Sequence, residues 1–238
     1  MQKCEVCAGL DECPAEIKHM IERQLICKEQ RSDEWKKARI VKLTASEIPA
    51  MLGESYFDTP DAVFFKKLAA ITNDDSFLDS KAPANVAAME WGTNHEEEAL
   101  AYFMEQTGHK VLTTGLLQHP TIPYIAGSPD GITYCGALVE IKCPYSGRIP
   151  KVCRKVTPRY ASQVQSLLSI TGLERAYFIQ FRPPGYALCG VADETQPVQY
   201  TCLETQRDGE WEESALPVLE RFYNNLVRRR IACQACFL

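Results

Sequence analysis

The sequence is short of three things, and each absence excludes a class of protein. No apolar run approaches the roughly 20 residues that a membrane-spanning helix requires, so no membrane role is expected. The opening residues 1–16 carry no basic segment followed by an apolar one, so a secretory leader is not expected there. Positive charge is not in excess either. The formal net charge is −5 at pH 7, which excludes a uniformly cationic surface but leaves room for a local basic track. What is present is ordinary for a globular chain: 45% hydrophobic and 24% charged residues over 238 positions, enough for one full core or at most two small ones.

Cysteine is plentiful, at 11 residues, but the number is odd and no leader precedes them. A disulfide framework is therefore not expected, and a reducing compartment fits better. Cys135, Cys143, Cys153, Cys189 and Cys202 lie in strand-like or apolar surroundings and read as small hydrophobes. The ends differ. Cys4-x-x-Cys7 opens the chain, with Cys13 and Cys27 following, and Cys233-x-x-Cys236 closes it. Cys4, Cys7, Cys233 and Cys236 are a candidate structural zinc set if the termini meet. Cys4, Cys7, Cys13 and Cys27 alone, an iron–sulfur cluster, or free thiols are the alternatives, and neither spacing is a known finger pattern.

Apolar periodicity predicts helices over 15–29, 32–41, 62–70, 85–106, 159–171 and 209–230. Ser32 followed by Asp33 and Glu34 reads as a helix start, and Thr44-Ala45-Ser46-Glu47 has capping-box form before a short helix that Gly53 ends. Arg39 and Lys42 before that second start suggest a phosphate site, against plain capping with a solvated basic face. Strands are expected over 111–117, 124–127, 137–142, 175–182 and within 186–203. Several helices before hairpin-linked strands indicate an α+β sheet with helices against it. Residues 72–84 read as a polar loop, and 148–159 as a basic linker.

The most informative stretch is Ser128 to Pro144. Pro129 and Gly131 place Asp130 on a turn. The run 137–142 alternates with period two, so Glu140 and Lys142 share one face and Val139 and Ile141 the other. Two carboxylates and a lysine around one small volume suit a hard divalent metal and a bound water. In the long helix, Glu96 stands four residues after Gly92 and three before Ala99, small residues that would let it face inward.

Six fragments in order carry a resemblance: Arg31-Ser32-x-x-Trp35-x-x-x-Arg39, Thr44-Ala45-Ser46, Trp91-Gly92-x-x-x-Glu96-x-x-Ala99, Ser128-Pro129-Asp130-Gly131, Glu140-x-Lys142-Cys143-Pro144 and Tyr160-x-x-Gln163-x-Gln165. Together they resemble the phage lambda exonuclease family, the YqaJ-type viral recombinase (alkaline exonuclease) group of the PD-(D/E)XK nucleases. That resemblance implies a restriction-endonuclease-like α+β core with a mixed central sheet. It implies an exonuclease domain over 31–230, with a cysteine-bearing extension at 1–30 and a tail at 231–238 outside the pattern.

The resemblance further implies Mg²⁺ or Mn²⁺ held by Asp130, Glu140, Glu96 and the Ile141 carbonyl, with Lys142 holding or helping to deprotonate the attacking water and Gln163 positioning that water or Lys142. Arg39 and Ser46 match residues that grip a 5′-terminal phosphate, which tips the balance toward a phosphate site there. The activity implied is a 5′→3′ exonuclease on double-stranded DNA ends, within a virus- or phage-infected cell. A ring-shaped homotrimer and a single-strand annealing partner go with it. The alternatives are an endonuclease of the same superfamily, an iron–sulfur nuclease, and a non-catalytic DNA-end-binding module.

Overall fold

A computed structural model describes residues 5–27, 29–56, 58–74, 76 and 86–235, with side chains from Gly9 to Ala232. Cys4 and Cys236, and the side chains of Cys7 and Cys233, lie outside the described residues, and so does the terminal zinc set expected above. Among the described residues, Cys13, Cys27, Cys135, Cys143, Cys153, Cys189 and Cys202 are free thiols.

The chain starts with helices α1 (Glu5–Glu12) and α2 (Ala15–Gln24). The helix expected over 15–29 stops early, because Leu25–Cys27 forms strand β1 and pairs with Leu116 and Leu117 of β4 (Leu116–Gln118). α3 (Asp33–Ile40) begins as expected, with Ser32 Oγ accepting from the Trp35 amide at 3.1 Å. β2 (Leu43–Thr44) leads into the one-turn α4 (Ile48–Met51), and α5 (Pro60–Thr72) follows, capped by Thr59. The long α6 spans Val86–Thr107.

The remaining strands are β3 (Val111–Leu112), β5 (Ile125–Gly127), β6 (Gly131–Thr133), β7 (Ala137–Lys142), β8 (Arg175–Arg182) and β9 (Gln199–Gln206). Two helices complete the order: α7 (Pro158–Thr171), between β7 and β8, and α8 (Gly209–Ala235), after β9. The run 111–117 is two strands rather than one, and they serve different sheets. One sheet has the order β1-β4-β5-β2, the other β3-β6-β7-β8-β9. In the second, β6 and β7 form a hairpin, β7 and β8 run parallel, and β9 returns antiparallel. The parallel β7–α7–β8 unit is a crossover that lays α7 on one face of the sheet.

Alternation along β7 decides what each face does. Val139 and Ile141 pack with Trp91, Ala99 and Phe103 of α6 and with Ile179 and Phe181 of β8. Leu138 faces the other way, into a core with Val164, Leu167 and Leu168 of α7 and Phe178 of β8. Glu140 and Lys142 are on that second face, so a polar pair stands at the end of an apolar layer. Ile17 and Ile21 of α2 are buried in the same second core, and Gln24 Nε2 donates to Ile170 O at 2.9 Å. Helix α2 thus packs against β4 and α7. Among the described residues no helix is long and apolar enough to cross a membrane.

Candidate active site

The site grows from the β6–β7 hairpin. Gly131 pairs with Val139 across it, which brings Asp130 alongside Glu140. The hairpin needs glycine at 131, since a Cβ there would lie 2.3 Å from Val111 Cγ1. Asp130 Oδ2 accepts from the Ile141 amide at 2.6 Å, locking the turn to the strand. Glu140 is 1% exposed. Its Oε1 accepts from Lys142 Nζ and from Gln163 Nε2 of α7, both at 2.6 Å. Lys142 also lies 5.0 Å from the centre of the Tyr160 ring, a cation–π contact that fixes its approach.

These groups feel one another strongly. Burial, then the Glu140 carboxylate, pushes the Asp130 carboxyl well above the ordinary carboxylate range. Burial likewise raises Glu140, against the opposing pull of Lys142. Burial pulls Lys142 down, but Glu140 and Asp130 outweigh it and keep the ammonium protonated above its usual range. Glu96 contributes to the rise at both carboxyls, so it belongs to the same electrostatic neighbourhood. Burial, then Glu96 and Asp130, pushes the neighbouring Cys143 thiol up to about 12, leaving it an inert hydrophobe.

Glu96 does not complete a carboxylate triad. Its carboxylate is paired with Arg31, a residue in left-handed backbone at φ 66°. Among the described residues no three His, Cys, Asp or Glu side chains converge as a ready ligand group. The chemistry of the donors nonetheless fits a hard divalent cation. Glu140 Oε2 is buried with no hydrogen-bond partner, an expensive state for a carboxylate oxygen unless something else binds it. The neighbouring candidates are all oxygens, the preference of Mg²⁺ or Mn²⁺. The tie seen at Ile141 is through its amide to Asp130, not its carbonyl.

A second cluster adjoins the first. Arg39 lies over the Trp35 ring at 4.1 Å and donates to Ser46 Oγ at 2.9 Å and Thr44 Oγ1 at 3.3 Å. Trp35 Nε1 donates to Ser128 Oγ at 2.9 Å, two residues before Asp130. β2, which precedes Ser46, runs parallel to β5, which precedes Ser128. Stacking, one hydrogen bond and one strand pairing thus join the Arg39 cluster to the carboxylates. The sequence patterns brought together Asp130, Glu140, Lys142 and Gln163, and separately Arg39 and Ser46. They gave no role to three residues. Arg31 takes up Glu96. Lys67 is buried against Glu47. Arg182, 1% exposed, donates to the carbonyls of Pro144 and Gly147 at 2.8 and 2.7 Å and anchors the segment leaving β7. Two of them left a trace in the sequence: Arg31 opens the first of the six fragments, and Lys67 follows the buried Val63 by four residues on one helix stripe.

Residues 34–174 match the pattern of the YqaJ-like viral recombinase domain. An uncharacterized protein of Acanthamoeba polyphaga mimivirus is 28% identical over 173 residues, which cover 66% of this chain; the chain spans 30% of that curated relative. The solved alkaline exonuclease LHK-Exo from Laribacter hongkongensis superposes with a TM-score of 0.65 at 24% identity, covering 86% of this chain and 97% of that one. A phage-related exonuclease from Haemophilus somnus superposes with a TM-score of 0.53 at 15% identity, covering 79% and 96%. These likenesses establish the fold, and the expected restriction-endonuclease-like α+β core is the one present.

Proposed function

This chain belongs to the YqaJ-like viral recombinase domain family, and from that premise we propose that it is a metal-dependent 5′→3′ exonuclease on double-stranded DNA. It would release 5′-mononucleotides and leave 3′ single-stranded tails for recombination. The observation that carries the reading is the junction of two clusters: Asp130, Glu140, Lys142 and Gln163 stand beside Arg39 and Ser46, joined through Trp35 and Ser128. The solved relative LHK-Exo also crystallises in complex with dAMP, a 5′-mononucleotide.

Asp130, Glu140 and Glu96 would hold Mg²⁺ or Mn²⁺, which supplies a nucleophilic water at neutral pH and offsets charge on the transferred phosphoryl group. Glu140 Oε2, buried without a hydrogen-bond partner, supports this reading. Glu96 would leave Arg31 to join. Lys142 is held at Glu140 by a 2.6 Å hydrogen bond, from which its ammonium reaches the attacking water and the developing phosphorane charge. Gln163 braces the same oxygen and keeps Glu140 from rotating. Arg39 and Ser46 seat the terminal 5′-phosphate, so the scissile bond is measured from the end. A ring of three copies, a single-strand annealing partner, and action in the cytoplasm or nucleus of an infected cell accompany this reading.

The test is digestion of linear duplexes with either a 5′-phosphate or a 5′-hydroxyl, in Mg²⁺, with each strand labelled. Shortening of the 5′-ended strand, faster when it is phosphorylated, is expected, and Lys142→Met should lose at least about a hundredfold of that rate. Cutting of unnicked circles would instead favour an endonuclease, and undiminished hydrolysis by Lys142→Met would remove the mechanism. A preparation that binds ends without shortening either strand would be the non-catalytic module.

A further inference from the structure

Beneath Arg39 and Ser46 lies a lysine with no part in hydrolysis. Lys67 of α5 is 3% exposed. Lysines are almost never so deep unless paired, because the ammonium loses its hydration. The Nζ lies 2.8 Å from Glu47 Oε2 and donates to the Arg39 carbonyl at 3.4 Å. The same Glu47 oxygen accepts from Thr44 Oγ1, and that hydroxyl in turn accepts from Arg39 at 3.3 Å. One continuous network therefore runs from Lys67 through Glu47 and Thr44 to Arg39 and Ser46.

The charges along it make an unusual anion pocket. Burial pushes the Glu47 carboxyl up, but Lys67, Thr44 and Arg39 outweigh it and hold it below the ordinary carboxylate range. Glu47 is thus an anion placed beside the arginine that is to receive another anion. Left alone, it would compete with a phosphate for Arg39 and repel the phosphate as well. With Lys67 bound to it, Glu47 is offset from behind more by Lys67 than by Arg39, which leaves Arg39 with positive charge to present toward Ser46. A 5′-phosphate carries about −1.5 to −2 charge at pH 7, whereas a 5′-hydroxyl carries none.

We propose that Lys67 is a positioning residue of the terminal-phosphate pocket: by quenching Glu47 it leaves Arg39 free for the incoming phosphate, and so sets the enzyme's preference for 5′-phosphorylated over 5′-hydroxyl ends. The inference rests on the reading of Arg39 and Ser46 given above. Lys67 is buried behind the pocket, and it acts on Arg39 through Glu47, its other tie being to the Arg39 carbonyl. A lysine that served only to hold α5 against α4 would, when removed, lower the active fraction and slow both substrates alike. A lysine that frees Arg39 changes the ratio between them.

The experiment measures kcat/KM for the two ends, in Mg²⁺, on the wild-type chain, Lys67→Met, Lys67→Arg and the double variant Lys67→Met/Glu47→Gln. Because the ratio is taken within one preparation, loss of folded protein cancels. Lys67→Met should reduce the phosphate preference about tenfold or more, mainly through a higher KM for the phosphorylated end. Lys67→Arg should keep the preference. The double variant, with no anion left to quench, should regain it; if Lys67→Met yields no soluble chain, this neutral and nearly isosteric pair carries the test. A wild-type ratio in Lys67→Met overturns the inference, and so does a double variant whose preference stays lost, since Lys67 would then act without Glu47, through the Arg39 carbonyl or on the phosphate itself. A wild-type enzyme with no preference at all removes the terminal-phosphate reading, a result distinct from both.

Discussion

Glu140 shows how a single side chain is committed. One oxygen takes two short donors, and the other is buried with no hydrogen-bond partner. Asp130 beside it is pushed well above the ordinary carboxylate range, by burial first and then by Glu140. The sign of the resulting pH dependence follows. A carboxyl raised on folding contributes stability fully below its unfolded pKa of about 3.9 and loses it as pH rises through the folded value. The metal-free protein is therefore penalised at neutral pH by the charges its site requires. Asp130→Asn keeps an oxygen for the Ile141 amide but removes the charge. We expect it to abolish hydrolysis while raising the melting temperature of the metal-free protein near pH 7 by about 2–4 °C. The gain should shrink on acidification toward the range where Asp130 is protonated. Calorimetry in chelator across pH checks this, and an unchanged or lower melting temperature at neutral pH contradicts it.

At the scale of elements, β5 must lie close to α7 to deliver Ser128 and Asp130. A Cβ on Gly127 would meet Leu167 Cδ2 at 2.6 Å and Ala45 Cβ and Ile170 Cδ1 at 3.0 Å. Leu167 and Ile170 are fully buried and have nowhere to turn. Gly127→Ala should therefore cost about 1–3 kcal/mol of stability and lower kcat by shifting the turn that follows; urea unfolding with parallel kinetics would show both, and full stability would contradict the packing argument. Much at this scale was legible in the sequence. β8 spans the expected 175–182, and α6 and α7 lie within a residue or so of expectation, because long periodic segments announce themselves. The misreadings have tertiary causes. Leu25–Cys27 continues a helical pattern but is captured as a strand by β4. The strand expected within 186–203 begins only at Gln199 and runs on to Gln206, because Cys189 and Gly190 take left-handed backbone and the Cys189 amide donates to Tyr145 O. In the site, the carboxylates and Lys142 were legible from a turn and a period of two. The pairing of Arg31 with Glu96 was not, since it joins residues 65 apart. No local pattern encodes a partner at that distance.

At the scale of the whole molecule, the proposed function requires an acidic protein to hold a polyanion. The net charge of −5 repels DNA at long range, so binding depends on cations gathered where the duplex lies. The segment after β7 offers them. Arg148, Lys151, Arg154 and Lys155 are all exposed, and the carbonyls of Pro144 and Gly147 that begin this segment are pinned by the buried Arg182. The cations are therefore carried away from Lys142 on a tethered chain. The exposed Arg228, Arg229 and Arg230 of α8 are the competing cluster, and they stand ahead of its last turn. Salt dependence separates the two. Each phosphate neutralised by a cationic side chain releases counterions and adds about 0.9 to the slope of log affinity against log salt. Changing Lys151, Arg154 and Lys155 together to alanine should flatten that slope by roughly one unit for each phosphate no longer neutralised. It should weaken duplex binding most at low salt and leave kcat at saturating DNA nearly unchanged. The corresponding change at Arg228, Arg229 and Arg230 should leave the slope where it was. Fluorescence anisotropy of a labelled duplex from about 50 to about 200 mM salt reads both; a slope that flattens only with the α8 variant would move the DNA track from the catalytic strand's exit to the helix end.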